Sequence, residues 1–214
     1  MITLVASLKG GTGKSTVNFN LGVWLATQGF KVSLFDFDPQ RTLSDVLDNR
    51  NEEEFEPALS VETDFSKLKR KKDTQTLIDV GTSDMQTMEK AIARADRIVI
   101  PVPPSQADVW STQRFIGMVK KIRGGEGKMP EMFVFINRAD TNPFIRETKE
   151  TAEVLKQLPY IKFIYARLGQ RTAFRRSFSE GLAVFEMEPN SKAAAELNAL
   201  ATLIYSSLFI HENK

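Results

Sequence analysis

The chain contains no cysteine, which removes disulfides, thiolate metal sites and iron–sulfur clusters together. Its single histidine, His211, falls in the last four residues, so imidazole acid–base or metal chemistry has almost nothing to work with. No apolar run reaches the roughly 20 residues of a membrane span, and the first residues lack the basic start of a signal peptide. Charge of either sign is not in excess. The 29 Lys and Arg against 27 Asp and Glu leave +2, so any nucleic-acid contact must come from a local patch, not a global field. What remains is 214 residues with 42% hydrophobic and 26% charged, enough for one domain with its own core and compatible with a reducing cytoplasm.

Strand-like runs recur at 2–8, 31–38, 76–80, 97–102, 132–137 and 161–166, several of them apolar on successive residues, as in strands covered on both faces. Helical segments are expected between them at 15–28, 84–95, 106–123, 144–157 and 171–180, with a last one at 191–209. Such alternation predicts an α/β fold, a doubly wound, mostly parallel sheet with helices on both faces. Residues 48–75 break the rhythm, running from acidic (Glu52, Glu53, Glu54, Glu56) to basic (Lys67, Lys69, Arg70, Lys71, Lys72). They read as a solvated surface excursion with a short strand near 58–63.

The chemistry begins at residue 9 with KGGTGKS. A glycine-rich turn between strand and helix lets backbone N–H groups face phosphate oxygens at a helix N-terminus. Gly10, Gly11 and Gly13 permit that approach, Lys14 would reach the β- and γ-phosphates, Ser15 would ligate Mg²⁺, and Thr16 can bond the α-phosphate. The strict phosphate-loop pattern wants glycine at position 8, where this chain has Leu8. Asp36 and Asp38 end the second strand and Asp79 ends the third, at the edge where open α/β sheets place ligands. One such aspartate is an ordinary helix cap, but three beside a phosphate loop point to a bound metal–phosphate complex. A second loop lysine, Lys9, has no role in a single phosphate cradle.

These stretches, with IPVPPS (100–105) and QRTAFRRSFSEGLAVFE (170–186), resemble the ParA/MinD family of deviant-Walker ATPases, specifically its short ParA-type partition and cargo-positioning members. The likeness runs from residue 9 to 186, and the family relaxes position 8. It implies ATP and Mg²⁺ as cofactors, with Gly10, Gly11, Thr12, Gly13, Lys14, Ser15 and Thr16 around the phosphates. It implies Lys9 as a signature lysine reaching across an ATP-dependent homodimer, Asp38 positioning the attacking water, and Ser15, Asp36 and Asp79 at the metal. Lys9, Lys14 and Asp38 are then the catalytic set for slow, partner-stimulated hydrolysis. Asn137 in FINRAD is the expected base reader, with Pro103 and Pro104 shaping the wall beside it.

The resemblance also implies non-specific DNA binding by the ATP dimer, a ParB-like or other adaptor protein, and a cytoplasmic, nucleoid-associated location. Arg171, Arg175 and Arg176 are the expected DNA contacts; in a helix over 171–180, Arg171 and Arg175 share a face at i, i+4, and Arg167 lies close by. Lys120, Lys121 and Arg123 form a second basic group. A phosphate loop starting at residue 9 is not expected to be preceded by an operator-reading helix-turn-helix, so the chain reads as one ATPase domain over 1–214. The C-terminal stretch carries only Lys214 as a base, so a MinD-like membrane helix is not expected. A conjugation-associated relative and a small-molecule ligase of the dethiobiotin synthetase type stand as the other readings.

Overall fold

The computed structural model describes residues 1–124, 129–142 and 144–209; His211 and Lys214 lie outside them. Seven strands form one sheet: β1 (Ile2–Val5), β2 (Lys31–Asp36), β3 (Val61–Glu62), β4 (Thr74–Asp79), β5 (Arg97–Val102), β6 (Glu131–Ile136) and β7 (Lys162–Ile164). The order is β3-β2-β4-β1-β5-β6-β7, and every pairing is parallel. Helices α1 (Lys14–Thr27), α2 (Thr42–Glu52), α3 (Met85–Arg94), α4 (Gln106–Arg123), α5 (Glu147–Leu155), α6 (Thr172–Ser179), α7 (Val184–Met187) and α8 (Lys192–Phe209) complete it.

The strands alternate sides, so two cores form. Val5, Leu34, Leu77, Val99 and Phe135 pack with α1, α2, α7 and α8. Leu4, Phe35, Ile78, Ile98 and Val134 pack with α3, α4 and α5. This is the doubly wound arrangement the alternation predicts. Strand β1 stops at Val5, three residues early, because the chain must leave the ladder to build the loop. On α8, Leu197, Leu200, Ala201, Ile204 and Tyr205 are buried, so its apolar face is core. Among the described residues no helix is long and apolar enough to cross a membrane.

Two helices were not expected, α2 and the short α7. Residues 42–52 form α2, overlapping the segment read as a surface excursion. Leu43, Val46, Leu47 and Arg50 face inward at helical spacing, a signal masked by the following acidic run. Beyond it the excursion is as expected: Glu52 to Glu54 and Lys69 to Lys72 are exposed, with β3 inside the predicted interval.

Arg50 ties α2 to the far end of the chain. Its side chain is fully buried, and all five N–H groups are used. They donate to the carbonyls of Glu56, Pro57 and Gly181 and, as a fork, to both Glu186 oxygens at 2.9 Å. Such a charge is tolerated only when fully paired. Gly181 is held at φ 71, and a Cβ there would lie 2.8 Å from the Arg50 backbone nitrogen. Replacing Glu186 by Ala leaves the guanidinium buried without its counter-charge, so unfolding in urea should show a loss of about 3–5 kcal/mol. A loss under 1 kcal/mol would contradict this account of Arg50.

Candidate nucleotide-binding site

The loop between β1 and α1 is braced by three hydrogen bonds. The Ser7 hydroxyl donates to the Lys9 carbonyl at 3.0 Å and shares a hydrogen bond with the Thr12 hydroxyl at 2.9 Å. From the end of β6, the Asn137 amide donates to the Thr12 carbonyl at 2.7 Å. Gly13 sits at φ 89, and a Cβ would come within 2.5 Å of that Asn137 nitrogen. Both the left-handed backbone and the close approach therefore demand glycine at 13.

The loop opens on a cavity of about 450 Å³ lined by Gly10, Gly11, Gly13, Lys14, Ser15, Thr16, Asp38, Gln40, Thr82, Ser83, Arg138 and Phe178. Lys14 is buried; burial pulls its amine below the usual lysine range, opposed by Asp79 and Asp38. Asp38 is half-buried, its Oδ1 accepting from the Gln40 amide at 2.9 Å. A Cβ on Gly81 would lie 2.8 Å from that same oxygen, so Gly81 keeps the space Asp38 fills. Lys9 does not line this cavity. Its amine turns away to Asp108 on α4, at 2.8 Å.

Asp79 is completely buried, and neither carboxylate oxygen has a hydrogen-bond partner among the described groups. Burial pushes it from 3.8 to about 7; Ser15 and Lys14 oppose the shift, while Asp36 and Asp38 add to it. Among the described residues no cluster of three or more His, Asp or Glu could cage a metal. Mg²⁺ needs no such cage, since one or two protein oxygens beside phosphates and water suffice. A hydroxyl at Ser15 next to two orphaned carboxylate oxygens fits that requirement.

Asp36 is already occupied. Its Oδ2 accepts from the Ser44 amide and hydroxyl at 2.9 and 2.8 Å, and its Oδ1 from the Asp38 amide at 3.0 Å. It therefore anchors the start of α2 and the turn that presents Asp38, an occupation that strand-end position alone did not reveal.

A second cavity of about 300 Å³ adjoins the first, sharing Gly13, Thr16, Arg138 and Phe178 and adding Asn137, Leu168, Arg171, Thr172 and Arg175. Asn137 thus stands on the wall where a base reader is expected. Pro103 and Pro104 line neither cavity; the wall is built by the chain after β7 and by α6 instead. Arg138, in the left-handed region at φ 54, and Phe178 line both cavities and were not singled out from sequence. The only signal for Arg138 was its place directly after Asn137.

The expected arginine stripe does not form. Arg171 is extended, at the N-cap of α6, and is engaged by Glu196 through Nε and Nη2. Arg175 and Arg176 are exposed, and Arg176 lies 3.8 Å from Glu188. In the second basic group, the Lys120 amine sits over the Tyr160 ring, and Arg123 donates to the Ala93 carbonyl at the end of α3.

An unpaired buried carboxyl raised to about 7 holds a proton that the unfolded chain releases. Wild-type stability without nucleotide should therefore fall as pH rises from about 4 to about 7 and then level off. Asp79→Asn should remove that slope and gain up to about 4 kcal/mol above pH 7, since each pKa unit is worth about 1.4 kcal/mol. Urea titrations of both proteins at pH 5 and pH 8 check this; equal pH dependence would contradict it.

The CobQ/CobB/MinD/ParA nucleotide-binding domain matches residues 3–184. The maintenance of carboxysome distribution protein A of Halothiobacillus neapolitanus is 27% identical over 211 residues, 95% of each chain. A protein named ParA from Rhizobium radiobacter is 28% identical over 218 residues, 97% of each. Among solved structures, a plasmid partition protein of Borrelia burgdorferi bound to AMPPNP superimposes with a TM-score of 0.73 at 20% identity, covering 97% of this chain and 99% of that one. Coverage from end to end of these relatives and a match over the loop, both aspartate strands and α6 lead to one statement: the chain belongs to the CobQ/CobB/MinD/ParA nucleotide-binding family of P-loop ATPases.

Proposed function

We propose that this protein is a ParA-type ATPase that dimerises on ATP, binds DNA without sequence preference and positions a cargo with the help of an adaptor protein. The observation that carries the reading is the divergence of the two loop lysines. Lys14 points into the cavity beside Asp38 and Asp79, whereas Lys9 points out of it to Asp108, so its charge is no part of its own subunit's phosphate cradle and can be offered to a neighbouring subunit. A cation that counts only when two subunits meet couples assembly to the triphosphate. The relatives named for carboxysome distribution and for ParA support a positioning role, and the cargo here is a further matter for the adaptor.

Within the site, backbone N–H groups of 10–15 cradle the phosphates and Lys14 neutralises the developing charge. Ser15, together with phosphate oxygens, would hold Mg²⁺, which when bound would supply electrostatic stabilisation of the transferring group. Asp79 would orient the water shell of that ion, and Asp38, fixed by the Gln40 amide and packed on Gly81, would position the attacking water. With no histidine in the described residues, no strong base assists, which favours slow turnover that an adaptor can accelerate. Arg175 and Arg176, with Arg167, are exposed cations of this cluster available for phosphate contacts, Arg171 being committed to Glu196.

Lys14→Ala should lower ATP affinity at least tenfold, while Lys9→Ala should keep it within a few-fold yet abolish the ATP-dependent dimer in light scattering. Equal loss of affinity in both would remove the trans role of Lys9. Replacing Arg175 and Arg176 together by Glu should eliminate DNA binding and leave the dimer intact. Wild-type binding to a random duplex should need ATP and fall steeply with salt. Equal binding in ADP and a slowly hydrolysed ATP analogue would overturn the DNA switch.

A further inference from the structure

Lys9 is exposed over nearly half its side chain, yet its amine is not loose. It is bonded at 2.8 Å to Oδ2 of Asp108, whose side chain is only 6% exposed. The same oxygen accepts from the Ser105 hydroxyl, and the Ser105 hydroxyl accepts from the Asp108 amide at 3.1 Å. Ser105 is the N-cap of α4 and Asp108 its third residue, so the carboxylate also lies in the favourable field of the helix N-terminus.

We propose that Asp108 is a positioning residue for the loop's first lysine, a latch that holds Lys9 on its own subunit until a partner's nucleotide competes for it. The inference rests on the trans role of Lys9 given above. Two features suit a latch. The acceptor is well supported without Lys9, since Ser105 and the helix terminus keep its charge solvated, so release does not strand a bare anion. The donor is half in water, so the pair is weak enough to exchange for a triphosphate carrying several negative charges. Restraining Lys9 also keeps it from its own cavity, whose Lys14 already supplies a cation.

The release cost is met twice in each dimer. A pair of this exposure is worth about a fivefold factor at the upper end, so two latches hold the dimer back by about 25-fold. Asp108→Asn keeps the shape and removes the charge. With a slowly hydrolysed ATP analogue, its dimer dissociation constant should fall, by up to about 25-fold, and Asp108→Glu should restore wild-type behaviour. In the nucleotide-free monomer, acylation of the Lys9 amine, followed by mass spectrometry, should be slower than that of exposed Lys71, and Asp108→Asn should raise it selectively. A merely structural role for Asp108 would not move Lys9 alone.

A folded Asp108→Asn variant whose dimer is unchanged or weaker overturns the latch and leaves the trans role standing. Wild-type Lys9 as reactive as Lys71 overturns it without any substitution, should the variant fail to fold. A wild type that stays monomeric with the analogue removes the trans role and the latch together.

Discussion

Everything at the site depends on the register of three adjacent parallel strands. Val5 on β1 pairs with Asp79 on β4, and Asp79 pairs with Asp36 on β2. Because the strands are parallel, all three leave the sheet at the same edge, where the loop after β1, the turn after β2 and the loop after β4 converge. A slip of one residue in β4 would turn Asp79 to the opposite face of the sheet and seal its carboxyl in a hydrophobic core. The long apolar contacts of both cores serve to keep that register.

The same edge concentrates electrostatic tension. Asp79 is buried without partners, Lys14 is buried beside it, and Asp36 and Asp38 follow within the same turn. The protein spends its hydrogen-bonding capacity unevenly there. Asp36 is fully used in holding Ser44 and Asp38, which makes the turn rigid, while Asp79 has only the nearby Ser15 and Lys14 to offset its burial. An unsatisfied group in an otherwise well-paired structure marks where a ligand completes the site. The loop itself is held open by Asn137 and Ser7, so the backbone amides are arranged before any phosphate arrives.

Distant parts of the chain are tied to this edge by two arginines. Arg50 on α2 grips Gly181 and Glu186, and Arg171 grips Glu196 on α8. Both link the segments around α6 to elements that border the cavities. The exposed Arg175 therefore lines the second cavity and faces solvent at once, placing nucleotide and surface within one short helix.

The alternation of apolar runs and helical segments was enough to specify a doubly wound sheet, and KGGTGKS with the strand-end Asp36, Asp38 and Asp79 marked the phosphate edge. Those features are local: strand burial, glycine freedom and strand-end carboxylates are written in short stretches. What each side chain does there is not local. Asp36 was pre-empted by Ser44, Arg171 by Glu196, and Lys9 by Asp108, partners 8, 25 and 99 residues away. Pro103 and Pro104 lost the second cavity to residues after β7, and the buried charge of Arg50 on α2 is matched only by Glu186, 136 residues away. Sequence spacing identifies which groups carry charge and which backbone can turn; only tertiary packing decides which of those charges are paired internally and which remain for a ligand.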